Sequence, residues 1–175
     1  MEFSKEFIGR LLRRDEHAFS TLYQQMVDRL YRFLVGRYRI DRQTAYDVIA
    51  DFFVKLRQRL DRIDEEQSLE SWIWTMFRNF VIDYFKAQKI TIRLDDTLET
   101  EDTDTEHPAQ YAEKNHQLKQ IYAVLGHLDD VSKEIVLLRY VEQLSFEEIA
   151  SITGMQEDAI RQRASRAIKK IQSLV

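Results

Sequence analysis

The chain has 175 residues, enough for one medium-sized domain or two small ones, and 44% of them are hydrophobic, so a folded core is expected. It contains no cysteine, which excludes a disulfide framework and a cysteine-ligated zinc site and fits a reducing cytoplasm. No run of about 18 apolar residues occurs, so no stable membrane insertion is expected, and the acidic start does not fit a secretory signal. The 4 glycines and 1 proline predict long helices with few turns.

The net charge of −4 is unevenly distributed along the chain. Residues 1–88 carry 15 basic and 14 acidic side chains, and residues 118–175 carry 8 of each. Residues 89–117 carry only 3 basic against 8 acidic side chains, so the acidity is concentrated in the middle. Neither end is basic enough to bind DNA through bulk charge alone, and any DNA contact must come from local basic faces or depend on a partner.

Three segments before the acidic stretch show apolar side chains at helical spacing: residues 19–34, 45–60 and 69–84. Each is preceded by a residue suited to cap a helix, in order Asp15, Asp41 and Ser68. A short helix over residues 3–12 can precede them. Together these segments predict a compact helical bundle.

The chain changes character at residues 90–110, where acidic residues alternate with threonine before the single proline, Pro108. Few apolar anchors and a high density of like charge predict a flexible acidic linker. Helical patterning resumes at about Tyr111. The predicted fold is therefore all-α, with two small helical domains, residues 1–89 and 111–175, joined by the linker.

The second domain ends in a pattern typical of a helix-turn-helix. Ser145 followed by Glu148 forms a capping box that starts a short helix, and Gly154 supplies the left-handed residue of the turn. Ala150 is small enough for two helices to cross closely. A last helix is predicted from about Gln156 to Leu174.

The last helix divides into two faces when its residues are placed at 100° intervals. One face is apolar, and the other carries Arg161, Gln162, Ser165, Arg166 and Lys169. Arginine pairs with guanine and glutamine with adenine in the major groove, while lysine and serine hold phosphates. A solvated basic face is the alternative interpretation, but its position after a helix-turn-helix pattern favours DNA reading.

The third helical segment combines aromatic with polar side chains. Most of its aromatic residues belong to the apolar stripe, but Trp74 lies off that stripe, near Arg78 and Asn79. We predict that Trp74 is exposed, because an exposed aromatic ring beside such groups suits stacking on unpaired bases. A domain that holds single-stranded DNA, joined to one that reads duplex DNA, indicates promoter opening.

The whole chain resembles the extracytoplasmic-function sigma factors, which keep only regions 2 and 4 of the sigma-70 family. The resemblance rests on five segments whose order and spacing are specific, although each is modest alone. AFSTLY and DRLYRF resemble the opening of region 2, AYDVIADFFVKL the polymerase-binding helix, SWIWTMFRNFVID the promoter-melting segment, and LLRYVEQLSFEEIA the start of region 4.

The resemblance implies a role for each candidate site. Region 2 docks on core RNA polymerase, whose largest and second-largest subunits are the expected partners, through Asp47, Asp51, Phe52 and Lys55. It captures a flipped base of the single-stranded minus-ten element with the loop at residues 62–68 and the residues behind it, namely Arg62, Ser68, Trp74, Arg78 and Asn79. Region 4 reads the minus-thirty-five element as duplex DNA with Arg161, Gln162, Ser165, Arg166 and Lys169.

The resemblance also implies cytoplasmic transcription initiation and a covering anti-sigma factor as a further partner. Five positions depart from the family pattern: Ala50 and Arg57 in the docking helix, and Thr153, Gln156 and Ala164 in the helix-turn-helix, where the family tends to carry leucine in place of Ala164. Thr153 replaces an apolar residue, and its hydroxyl is expected to bond to the helix backbone. Gln156 replaces a better N-cap.

Two other classes of protein fit the sequence less well. An autonomous helix-turn-helix regulator with an N-terminal dimerisation or sensing domain explains residues 118–175, but not the polar and aromatic pattern of residues 62–86. A catalytic helical bundle lacks support, because the sequence has no Glu-x-x-His pair, phosphate loop or nucleophile motif. The histidines are scattered at His17, His107, His116 and His127, so no metal site, no cofactor and no enzymatic activity are expected.

Overall fold

The protein is described here by a computed structural model, in which residues 3–63, 68–87 and 124–173 are described. Every regular element in these segments is helical. In chain order they are α1 (Lys5–Leu12), α2 (Glu16–Tyr38), α3 (Arg42–Gln58), a 3₁₀ turn (Leu60–Arg62), α4 (Leu69–Ala87), α5 (Asp130–Val136), a π-helical turn (Leu137–Val141), α6 (Phe146–Thr153) and α7 (Glu157–Gln172). The predicted all-α fold is confirmed, whereas the predicted linker at residues 90–110 and the start of the second domain lie outside the described residues.

The helices begin where the sequence places their caps. Asp15 Oδ1 accepts hydrogen bonds from the backbone N–H groups of His17 and Ala18 at 2.9 and 3.0 Å, which starts α2. Asp41 Oδ1 accepts from the N–H of Thr44 at 2.9 Å and starts α3. These bonds satisfy backbone donors that have no partner within the helix, so the first turn is stabilised locally.

The cap of α3 yields a first prediction. Replacing Asp41 with alanine should lower the free energy of unfolding by about 1 kcal/mol, while asparagine, an equally good cap, should preserve most of it. Hydrogen bonds from the hydroxyl and the backbone N–H of Thr44 hold the pKa of Asp41 below its ordinary value. The carboxylate therefore contributes fully above the ordinary pKa of about 3.9, and its contribution is lost as the pH falls through the lowered folded-state pKa.

Urea denaturation followed by circular dichroism checks this prediction. The difference between wild type and Asp41→Ala should be constant near neutral pH and should shrink below about pH 4. If Asp41→Ala and Asp41→Asn lower the free energy of unfolding equally near neutral pH, Asp41 does not stabilise α3 as an N-cap.

Aromatic side chains fill the core of the N-terminal half. Phe52 of α3 meets Phe77 of α4 edge to face, with ring centroids 4.9 Å apart, and Phe33 of α2 meets Trp74 of α4 in the same way at 5.4 Å. Edge-to-face contacts of this kind add to the stabilisation from area burial. The core therefore fixes the angle of α4 against α2 and α3.

The two halves of the chain pack directly against each other. Helix α4 lies against α6, and α2 lies against α5 and the π-helical turn. The sequence alone allowed both compact and extended arrangements of the two halves. The structure shows the compact one, in which α4 is covered on two sides, by α3 and by α6.

The π-helical turn lies at this contact between the two halves, against α2. The N–H of Glu142 donates to the carbonyl of Leu137 at 3.0 Å, and the N–H of Leu144 donates to Leu138 at 3.0 Å. Gln143 then adopts a left-handed conformation with φ 61°, which ends the helix. Such wide turns occur at functional positions, and this one precedes a buried carboxylate, Glu142, and leads into α6.

Candidate nucleic-acid interface

Helix α7 presents the chemistry predicted for duplex DNA on its exposed side. All five predicted residues are exposed: Arg161, Gln162, Ser165, Arg166 and Lys169. Ile160, Ala164 and Ala167 of the same helix are buried. The predicted division of the helix into an apolar and a polar face is therefore confirmed, and a groove-reading set remains accessible while the helix is anchored.

The turn before α7 has the local geometry that the sequence predicts. Ser145 and Glu148 form the reciprocal capping box at the start of α6, with bonds of 3.1 and 2.7 Å. Gly154 ends α6 in the left-handed region at φ 72°, where a side chain is strained even though the space around it is open. Thr153 Oγ1 donates to the carbonyl of Ile149 at 2.7 Å, as expected. Gln156 makes no side-chain cap.

Arg161 is held in place by two neighbours. Its guanidinium lies 4.6 Å from the centre of the Phe146 ring, and its Nε donates to Glu157 Oε1 at 3.0 Å. Arg139 lies over the same Phe146 ring at 4.7 Å and donates to the carbonyl of Leu144 at 2.8 Å. Phe146 and Arg139 are not among the residues predicted from the sequence. The ion pair between Glu157 and Arg161 was predictable from the sequence, because the two residues are spaced i, i+4 on one helix.

The residues predicted for the minus-ten element are distributed differently. Arg62, Ser68 and Asn79 are exposed. Trp74 is not, and the prediction of an exposed ring is wrong: the side chain is only 1% exposed. Its ring packs against Phe33 of α2 and Phe77 of α4, so the side of α4 that looks polar in the sequence faces α2 in the folded protein. In this arrangement Trp74 cannot stack on a base.

Arg78 is also engaged rather than free. Its Nε donates to Glu134 Oε1 at 2.6 Å, and Glu134, from α5, is itself buried. The remainder of the predicted minus-ten loop, residues 64–67, lies outside the described residues.

The predicted polymerase-binding helix α3 exposes only part of its proposed set. Asp47 and Asp51 are exposed, and Lys55 is half-buried with its ammonium 5.1 Å from the centre of the Phe80 ring. Phe52 is 0% exposed and belongs to the core, so it does not present a contact surface. Val54, which is not among the predicted residues, is 61% exposed on the same helix. Its position outside the apolar stripe of α3 was the available signal in the sequence.

A buried charge cluster that the sequence did not reveal joins the two halves. Arg29 of α2 donates to Glu142 Oε2 at 2.8 Å and to the Glu142 carbonyl at 3.1 Å, and it lies 2.6 Å from Glu70 of α4. Arg32 lies 3.2 Å from Glu142, whose side chain is 0% exposed. These partners are up to 113 residues apart in the chain, so no local spacing predicts them.

The charge state of Arg29 follows from this cluster. Burial by itself lowers the pKa of Arg29, but the hydrogen bond to Glu142 and the attraction of Glu70 outweigh it, so the pKa is raised. The guanidinium therefore stays charged, and the two carboxylates are held by a permanent cation.

The described residues contain neither a candidate metal site nor a helix that could span a membrane. Among residues 3–63, 68–87 and 124–173, no three His, Asp or Glu side chains come together as a metal site. None of the helices in these segments is both long enough and apolar enough to cross a membrane.

Comparison with known proteins supplies the family. Residues 22–91 match the family model described as sigma-70 region 2, and residues 118–171 match sigma-70 region 4. BldN of Streptomyces coelicolor, an ECF RNA polymerase sigma factor, is 26% identical over 97% of this chain and 65% of its own length. The chain belongs to the extracytoplasmic-function group of sigma-70 factors.

Further relatives agree with this assignment. SigX of Bacillus subtilis, another ECF sigma factor, is 25% identical over 88% of this sigma factor and 81% of SigX. The solved structure of CnrH in complex with the cytosolic domain of CnrY matches the fold with a TM-score of 0.73, at 21% identity, covering 96% of this chain and 94% of that one. RpoE of Bartonella quintana, solved in complex with the anti-sigma factor NepR, matches with a TM-score of 0.69, at 24% identity, covering 89% and 95%. The protein thus serves promoter-directed transcription initiation as a sigma factor, and the autonomous-regulator alternative is not favoured.

Proposed function

We propose that this sigma factor performs its role through three surfaces and without bond chemistry of its own. Its region 4 reads the minus-thirty-five element with the exposed face of α7, its region 2 docks on core polymerase through α3, and the α4 side of region 2 holds the opened minus-ten element. The observation that carries the proposal is the exposed set Arg161, Gln162, Ser165, Arg166 and Lys169, displayed on one side of a helix whose other side is buried. We place the domain boundaries at residues 1–89 and 111–175, and the site of action in the cytoplasm.

The polymerase contact follows from the exposed groups of α3. Asp47 and Asp51 supply negative charge, Val54 an exposed apolar side chain, and Lys55 a partly covered cation. Charged groups around an apolar contact give both orientation and affinity to a protein interface. Phe52 supports this surface from beneath by packing against Phe77.

An anti-sigma factor is the proposed regulatory partner. CnrH was solved with the cytosolic domain of CnrY, and RpoE with the anti-sigma factor NepR. Because this chain shares their fold over nearly its whole length, a protein that covers its polymerase and DNA surfaces is proposed here too.

The experiment that tests the proposed function measures binding to purified bacterial core polymerase, followed by run-off transcription from a promoter library. Stable binding together with transcripts that start at defined sites supports it and yields the promoter sequence. Binding to duplex DNA as a dimer, without polymerase and without transcripts, would replace it with an autonomous regulator.

Arg161 gives the sharpest prediction for promoter reading. On a promoter selected in that library, Arg161→Ala should lower transcription by about 10- to 100-fold, because one bidentate base contact is worth about 1–3 kcal/mol of discrimination. Arg161→Lys keeps the charge but not the fork of donors. It should lose the same discrimination between bases while retaining the salt dependence of DNA binding.

These two variants are compared by affinity for the selected minus-thirty-five sequence and for single-base variants of it, across a salt series. Full retention of base preference by Arg161→Lys would show that Arg161 contacts phosphate rather than a base edge.

A further inference from the structure

The guanidinium of Arg161 is engaged along one of its edges by a carboxylate of its own helix. Its Nε donates to Glu157 Oε1 at 3.0 Å, and its Nη2 donates to the same oxygen. Its Cζ also lies 4.6 Å from the centre of the Phe146 ring, which comes from α6. Both helices of the helix-turn-helix therefore hold this one side chain.

The edge that remains open is the one formed by Nη1 and Nη2. A guanidinium carries five N–H donors in a fixed fork, and Nη1 has no acceptor among residues 3–63, 68–87 and 124–173. The Arg161 side chain is 55% exposed, so a ligand can reach this edge. Two donors that point the same way are thus offered to the solvent side of α7.

Guanine is the base that matches two parallel donors. In the major groove it presents O6 and N7, which are both acceptors, whereas adenine presents one acceptor beside a donor and cytosine presents a donor. A freely turning arginine also pairs with phosphates, and those contacts carry no sequence information directly. The orientation of the Arg161 guanidinium therefore bears on which base is read.

The two groups that hold Arg161 are themselves fixed by local structure. Phe146 directly follows Ser145, the residue that caps α6, and the Arg139 guanidinium lies 4.7 Å from the centre of the same ring. Glu157 precedes Arg161 by one helical turn, the favourable order for such a pair, and stands in the first turn of α7, where the helix dipole favours a negative charge.

We propose that Glu157 and Phe146 are positioning residues that commit Arg161 to one guanine of the minus-thirty-five element. They occupy the Nε side of its guanidinium and present the Nη1–Nη2 edge to the major groove. The inference rests on the proposed function and adds to it the base that is read and the residues that select it. Without these two contacts Arg161 keeps its charge and its attraction to DNA, but it loses preference for guanine.

The test uses holoenzyme assembled from the full chain and core polymerase. The templates are a pool of the promoter selected for wild type, with every single-base change in its minus-thirty-five element, and transcripts are counted by sequencing. Arg161→Ala identifies the position that Arg161 reads, which we expect to be a guanine. Guanine preference is then the ratio of transcripts from guanine to transcripts from the best other base at that position.

Removing the carboxylate tests the first positioning residue. Glu157→Ala should lower guanine preference about twofold, the factor that one ion pair at this spacing on a helix is worth. The matched control is Asp158→Ala, which removes an exposed carboxylate from the next position of the same turn and should leave guanine preference unchanged. Both variants remove a negative charge near the DNA, so any general gain in DNA affinity is common to them.

Replacing the ring tests the second positioning residue. Phe146→Leu keeps an apolar side chain but loses the ring, and it should lower guanine preference about two- to fivefold, the factor for a cation–π contact at an exposed site. Phe146→Tyr keeps the ring and should retain the wild-type preference. A merely structural defect in the helix-turn-helix lowers transcription from every template alike and leaves the ratio unchanged.

An unchanged guanine preference in the double variant Glu157→Ala/Phe146→Leu would overturn the inference, and so would a base other than guanine at the position that responds to Arg161→Ala. Equal losses in Phe146→Leu and Phe146→Tyr, or in Glu157→Ala and Asp158→Ala, would contradict the role given to that residue. The proposed function is judged separately, by whether wild type yields transcripts at all. If it yields none, the same variants are compared by the duplex sequences that the full chain selects from a random pool, which still decides this inference.

Discussion

Replacing Arg29 with methionine is expected to lower the free energy of unfolding by about 3–5 kcal/mol, the cost of removing one partner from a buried ion pair. Arg29 lies 2.6 Å from Glu70, which is 1% exposed, and 2.8 Å from Glu142. Methionine fills most of the volume and keeps the apolar stem, so packing changes little. The loss arises because two buried carboxylates lose their shared cation.

The matched control removes the carboxylate charges as well. The triple variant Arg29→Met/Glu70→Gln/Glu142→Gln should recover most of the loss, because replacing a whole buried ion cluster with neutral groups is often close to neutral in stability. Urea denaturation followed by circular dichroism measures all three proteins, with the slope checked for two-state behaviour. A loss below about 1 kcal/mol for Arg29→Met would show that the cluster is screened by solvent.

Replacing Trp74 with alanine should also cost about 3–5 kcal/mol, as expected for a large buried aromatic side chain. The ring is fully enclosed between Phe33, Phe77 and the Arg29 guanidinium, so truncation leaves a cavity that neighbouring helices cannot fill without moving. Trp74→Phe is the matched control. Since the indole N–H has no acceptor among the described residues, phenylalanine loses volume but no hydrogen bond, and should cost clearly less than alanine.

Thermal and urea unfolding of both variants check this expectation, and single-stranded DNA binding by the folded Trp74→Phe protein separates packing from stacking. Nearly wild-type stability of Trp74→Ala would contradict the buried position and restore the exposed ring expected from sequence. A similar loss in Trp74→Phe and Trp74→Ala would show that the indole makes a polar contact essential to the fold.

Local features of the fold were predictable from sequence because their causes lie within a few residues. Asp15 and Asp41 cap helices through bonds that reach no further than three residues, and Ser145, Glu148 and Gly154 specify the helix-turn-helix in the same short-range way. The exposed set on α7 followed from helical periodicity, since this helix buries one face and leaves the other to solvent.

Only the tertiary structure decided which side chains are buried where a helix packs against more than one neighbour. Helical periodicity assumes a single buried face, but α4 meets α2 as well as α3 and α6, and Trp74 is buried against Phe33 and Arg29 of α2 on a side that looks polar in sequence. Phe52, in contrast, lies on the apolar stripe of α3, and its burial follows from periodicity. The pairing of Arg29 with Glu142 was decided by the tertiary structure. Ion pairs between residues 113 apart depend on how whole helices dock, and that docking is set by the summed packing of both halves, which no local spacing encodes.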